Sequence, residues 1–88
     1  AYLYNLLLNL KKQQPHIIDI RGKGFMIGVV LDQNCLDIVA YALKYHLLLN
    51  VVSNNTIRLL PPFNLTYQEA NELVHRLSEC LTNYFKQN

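Results

Sequence analysis

Arg58 is the charged residue whose setting carries the most chemical information. It lies in the run Thr56-Ile57-Arg58-Leu59-Leu60, which stops at Pro61-Pro62. On an extended strand, alternation places Thr56, Arg58 and Leu60 on one face and Ile57 and Leu59 on the other. A guanidinium held at such a point is a planar fork of donors that meets a carboxylate with two parallel hydrogen bonds. The same pattern describes a surface arginine that lays its stem along the sheet and keeps its head in water. On the residues alone both readings stand.

The other chemically competent residues do not assemble into a motif. His16 falls at a helix-to-strand turn, His46 at a helix end and His75 inside the last helix. None is read with an acidic residue at metal-ligand spacing, and all three are expected to be structural, His46 favouring the negative end of a helix dipole. Cys35 and Cys80 lack the paired spacing of a zinc site. They are expected to be small core residues in a reduced, cytoplasmic protein. Ser53 and Ser78 have no neighbouring base. Lys23-Gly24-Phe25 is the basic-glycine-aromatic start of an RNA-stacking strand, but Met26 to Val30 follow where stacking rings would be needed. The glycines are no phosphate loop either, since no Gly-Lys is followed by Ser or Thr.

These residues must be positioned by a chain of 88 residues, 51% hydrophobic and 16% charged, which is one domain's worth. That apolar content excludes a disordered tail, and three Gly and three Pro exclude collagen-like and low-complexity classes. No apolar run approaches the roughly 18 residues that span a bilayer. No basic segment precedes an apolar one at the start, so neither a signal peptide nor a membrane partner is expected. The net charge of +2, with only Lys11-Lys12 adjacent, is too small for a dedicated nucleic-acid surface. Tyr2 to Lys12 is amphipathic from its first turn, with no N-cap and no initiator Met ahead of it. The chain therefore reads as part of a longer one.

The spacing predicts a first helix from Tyr2 to Gln14, stopped by Pro15, and a short strand from His16 to Ile20. Gly22 and Gly24 point to a bulge or a close backbone approach. Phe25 to Leu31 is almost wholly apolar and reads as a central strand covered on both faces. Asn34 is expected to cap a second helix, Cys35 to Tyr45, that buries Leu36, Val39, Ala40 and Leu43. Leu47 to Val52 and Thr56 to Leu60 form a hairpin around Ser53-Asn54-Asn55, where Asn tolerates positive φ. Thr66 and Glu69 make a capping box for a last helix with the stripe Ala70, Leu73, Val74, Leu77, Leu81, Tyr84 and Phe85. The order α-β-β-α-β-β-α gives an α+β two-layer domain, a small, mostly antiparallel sheet with helices on one face.

Two motifs in sequence carry a resemblance. Ile20-Arg21-Gly22-Lys23-Gly24 leads into Met26-Ile27-Gly28, and after a helix Ile57-Arg58-Leu59-Leu60 leads into Pro61-Pro62. Together they closely resemble the carboxy-terminal small domain of the class-III pyridoxal-phosphate-dependent aminotransferases of fold type I, over residues 1 to about 85. Leu47-Leu48-Leu49-Asn50 points to the acetylornithine branch. The resemblance implies that Arg58 matches the arginine that binds the substrate α-carboxylate. It implies a cytoplasmic, homodimeric parent that exchanges the amino group between N-acetylornithine and 2-oxoglutarate, giving glutamate, in arginine biosynthesis. Pyridoxal 5'-phosphate, its anchoring lysine, the acid at the pyridine nitrogen and the phosphate loop belong to the family's large domain, and Lys23 and Lys44 do not match the lysine motif. This chain is thus expected to hold no catalytic, cofactor-binding or metal residue and to be inactive alone. Phe63 stands where the family often has Leu. The alternatives are an ornithine, succinylornithine or 4-aminobutyrate type of the same class, or a free-standing small-molecule-binding regulatory domain.

Overall fold

A computed structural model describes residues 2–23 and 26–86. Helix α1 (Tyr2–Gln13) is followed by strands β1 (Ile17–Lys23) and β2 (Met26–Leu31), a short helix α2 (Ile38–Ala42) that tightens into a 3-10 turn (Leu43–Tyr45), strands β3 (Asn50–Val52) and β4 (Thr56–Leu59), and the long helix α3 (Tyr67–Lys86). The strands form one antiparallel sheet in the order β1-β2-β4-β3. The α+β architecture follows the sequence reading. The expected features at Gly24 and Phe25 lie outside the described residues.

One sheet face is the core face. Ile20, Val29 and Ile57 point into a cluster with Leu3, Leu7 and Leu10 of α1 and Leu77, Cys80 and Leu81 of α3. Each fully buried aliphatic side chain there contributes about 1.5–3 kcal/mol. Val30 is buried but stands outside this cluster, so β2 is covered on both faces. Gly22 serves a close approach, since a Cβ there would lie 3.2 Å from the Tyr4 ring. The bulge is elsewhere. Ile17 pairs with Leu31 and Asp19 with Val30, which leaves Ile18 as the extra residue, while Gly22 pairs in register with Ile27. Ile18 is 53% exposed, as the added residue of a bulged edge can be.

The second helix differs most from the sequence reading. It buries Ile38 and Ala42, with Cys35 ahead of it, while Leu36 (58%), Val39 (37%) and Leu43 (55%) are exposed, as is Ala40. Both stripes have helical spacing, and tertiary contacts select between them. The backbone N–H of Cys35 donates to the Asn54 carbonyl at 2.7 Å, which turns Cys35 inward and sets the phase of the turns that follow. Asp37, not Asn34, is the N-cap residue; its carboxylate makes no cap hydrogen bond and accepts one from the Tyr84 hydroxyl instead. His46 does stand at the helix end, as read: it caps the 3-10 turn in the left-handed region, with φ 60°.

The remaining boundaries shift little. β3 starts at Asn50, and β4 ends at Leu59 before Pro61-Pro62. Ser53 joins Asn54 at positive φ, with values of 54° and 68°. The capping box forms as read: the Glu69 N–H donates to the Thr66 hydroxyl at 3.1 Å, and the Thr66 N–H donates to the Glu69 carboxylate at 2.9 Å. That backbone bond, then the hydroxyl, holds the Glu69 carboxyl below its usual range.

The two candidate stripes of α2 give a direct test. Ile38→Ala should cost about 2–5 kcal/mol, as a large-to-small core change does. Leu36→Ala should stay within about 0.5 kcal/mol, as a surface change does. Urea unfolding of the two variants beside the parent chain measures both.

Candidate functional site

The sheet's second face carries a lateral row. Arg21 on β1 lies opposite Gly28 on β2, Gly28 opposite Arg58 on β4, and Arg58 opposite Asn50 on β3. Directly opposed residues of antiparallel strands share a face, so this row turns away from the helices. β4 puts Arg58 there because Ile57 and Leu59 on either side are buried in the core. Arg58 is half-buried, and its Nε–H donates to the Asn50 Oδ1 at 3.2 Å. Among the described residues its two Nη groups have no hydrogen-bond partner.

Three features shape the space around this guanidinium. Arg58 and Asn50 line a shallow cleft of about 260 Å³ with Leu48, Leu49 and Leu60. Gly28, between the two arginines, is buried and has no room for a side chain, since a Cβ there would lie 3.2 Å from Thr56 Cγ2. Arg21 is exposed and donates from Nε to the Asp19 carboxylate at 3.1 Å, so its charge is partly answered within its own strand. The arrangement is a cation tethered at Nε beside a cleft lined largely by leucines, and a guanidinium with its terminal donors unspent can bind a carboxylate with two parallel hydrogen bonds.

The sequence reading picked out Arg58 and its face but missed Asn50 and Gly28 as its neighbours. A signal was available for Asn50: positions 50 and 58 are equidistant from Asn54, the middle of the hairpin turn, so the register pairs them.

The histidines do not join this site. His16 stacks on Phe85 with ring centroids 3.9 Å apart, and its Nδ1 lies 3.0 Å from the Asp32 carboxylate. His75 faces Glu79 one helical turn on, at 3.3 Å, an acidic neighbour the sequence reading overlooked. These are isolated pairs, and no group of three His, Cys, Asp or Glu side chains capable of holding a metal occurs among the described residues. A separate apolar cavity of about 390 Å³ lies under Pro61-Pro62-Phe63, against Leu3, Ile27 and Leu65.

The family model for class-III aminotransferases matches residues 1–81. The chain is 33% identical over 87 residues to acetylornithine aminotransferase 1 of Bordetella pertussis, covering 99% of this chain and 22% of that one. It is 43% identical over 75 residues to acetylornithine aminotransferase 2 of Caulobacter vibrioides, covering 84% and 18%. Among solved structures, an N-acetylornithine aminotransferase from Stenotrophomonas maltophilia superimposes with a TM-score of 0.84 at 22% identity, over 98% of this chain and 25% of that one, a likeness of fold. An ornithine aminotransferase from Plasmodium yoelii gives 0.82 at 25% identity, over 93% and 22%. The chain thus spans about a fifth of the length of the curated relatives it matches.

Cys35 and Cys80 are both buried free thiols, and burial pushes each up to about 11, the nearby Asp37 charge adding to the effect at Cys35. A thiol with that pKa is about one part in a thousand thiolate at pH 8. Both should resist a disulfide thiol reagent in the folded chain at pH 8 and react fully in urea. Absorbance of the released thiolate, followed over time, gives the two rates.

Proposed function

The chain belongs to the class-III aminotransferase family, and on that premise we propose that it is the carboxy-terminal small domain of a longer transaminase, in which Arg58 binds the substrate carboxylate. The supporting observation is the guanidinium itself: tethered through Nε, with no hydrogen-bond partner at either Nη group among the described residues, and set on the sheet face opposite the helix-packed core. The substrate pair favoured by the acetylornithine relatives is N-acetylornithine with 2-oxoglutarate, and glutamate as the returning amino donor. In N-acetylornithine the α-nitrogen is acylated and the δ-amine is the one exchanged, far along the chain from the carboxylate. Glutamate and 2-oxoglutarate carry a carboxylate directly beside the carbon that loses or gains nitrogen, so they are the substrates whose reacting end Arg58 would hold. We place the parent in the cytoplasm as a homodimer.

Pyridoxal phosphate supplies the electron sink of such an exchange, and the residues described for this chain do not fit it. The Lys44 Nζ lies 4.7 Å from the centre of the Tyr41 ring, on an exposed side chain. Lys11 and Lys12 border an open cleft at the end of α1 with Asn5, Asn9 and Ile18. None of these amines is buried beside a cradle of backbone donors. The cofactor and the proton-transferring lysine are therefore assigned to the remainder of the parent, and this chain's part is binding and orientation. A carboxylate fixed at Arg58 restrains the adjacent carbon, which lowers the entropy cost of bringing its nitrogen to the reacting group.

Arg58→Ala in the full-length enzyme should lower kcat/KM for glutamate and for 2-oxoglutarate by at least about tenfold, the scale of one lost charge-assisted contact of about 1.5–3 kcal/mol. Arg58→Lys should recover little, because an ammonium is a point charge without the planar fork. Cofactor affinity, measured on the same preparations, should hardly move. Values within a factor of two for both substrates would return Arg58 to the status of a surface arginine.

The 88-residue chain alone should not capture the cofactor. After incubation with pyridoxal phosphate and reduction with borohydride, mass spectrometry should find no lysine stoichiometrically labelled. A single lysine labelled to saturation would contradict the assignment.

A further inference from the structure

We infer that Asn50 is a positioning residue for the carboxylate site, holding the Arg58 guanidinium by its Nε edge so that both Nη groups face the substrate; this rests on the reading of Arg58 given above. The two residues are directly opposed in the β3–β4 ladder, and the Asn50 Oδ1 accepts the Arg58 Nε–H at 3.2 Å. Chemistry fixes the amide's orientation, because Nδ2 is itself a donor and cannot accept from Nε. A guanidinium has one Nε–H and two Nη groups. Occupying Nε with a neutral acceptor removes one way for the head to turn and leaves the outward fork unspent.

The acceptor's neutrality matters as much as its position. A carboxylate at position 50 would hold the same Nε–H but would also answer the positive charge, competing with the substrate for it. An aliphatic residue would leave the head unrestrained. Only a short neutral side chain with a carbonyl oxygen does both jobs at this distance. β3 itself supports the assignment. It has three residues, and Asn50 and Val52 on its outward side are exposed, so it adds little to the core. What it does contribute is a fixed partner directly opposite Arg58.

The test uses the full-length enzyme with cofactor bound and a non-reacting ligand, glutarate, which keeps both carboxylates of 2-oxoglutarate and lacks its keto group. Inhibition constants are measured for the parent, Asn50→Ala, Asn50→Asp and Arg58→Ala, with melting temperature and cofactor affinity as controls. Asn50→Ala should weaken the inhibitor about fivefold, as for one hydrogen bond of ordinary net strength. Asn50→Asp should weaken it more, by tenfold or beyond, although Asp is nearly isosteric with Asn. A merely structural asparagine gives the reverse order, Asp milder than Ala, with the losses tracking melting temperature, and that result overturns the inference. Strong weakening in Arg58→Ala with parental values in both Asn50 variants overturns it alone. Parental binding in Arg58→Ala overturns the reading of Arg58, and the inference falls with it.

Discussion

The pairing of β2 with β4 is the constraint on which the rest of this molecule depends. Val29 lies opposite Ile57, both side chains fully buried, and the next pair along the ladder is Gly28 with Arg58. The strand period of two ties these pairs together. While Val29 and Ile57 stay inside, Arg58 must point out. A one-residue slip would exchange the faces and carry an arginine into the core, where an unpaired charge costs several kcal/mol. The hydrophobic interior therefore aims the guanidinium, although it never touches it.

Around that pair the chain fastens its ends by backbone hydrogen bonds. The Leu31 N–H donates to the Asn55 carbonyl at 2.8 Å and the Cys35 N–H to the Asn54 carbonyl at 2.7 Å. The hairpin turn thus holds both the end of β2 and the approach to α2. Asp32 extends the hold: its N–H donates to the His16 carbonyl at 2.9 Å, and its carboxylate meets the His16 ring, which stacks on Phe85 of α3. The start of β1, the end of β2 and the carboxy-terminal helix meet at that one contact.

What the sequence disclosed follows from how local each signal is. The capping box at Thr66 and Glu69 needs only four consecutive residues, and the α3 stripe from Ala70 to Phe85 repeats over about four turns, so both were legible. The face of Arg58 was legible because its two apolar neighbours leave one alternation. The phase of α2 was not, because two stripes of similar hydrophobicity run along the same few residues and a backbone bond from Asn54 chooses between them. The bulge at Ile18 was not legible for a related reason, although the close approach at Gly22 was. Glycines mark where a backbone can deviate, but here Gly22 makes room for the Tyr4 ring and the extra residue is Ile18. Asn50 was read as part of a family signature, and its contact with Arg58 emerges only once the hairpin register is drawn.

The two outer strands have a consequence for how this sheet behaves next to other chains. An exposed strand edge is a template for further strands. Here β3 offers only three residues of edge, and β1 is bent by its bulge at Ile18 and carries Asp19 and Arg21 beside it. Neither edge presents a long, flat, uncharged row of backbone donors and acceptors. A sheet built this way is closed to sideways growth without being closed into a barrel, and a neighbouring molecule has little purchase from which to extend it into a fibril.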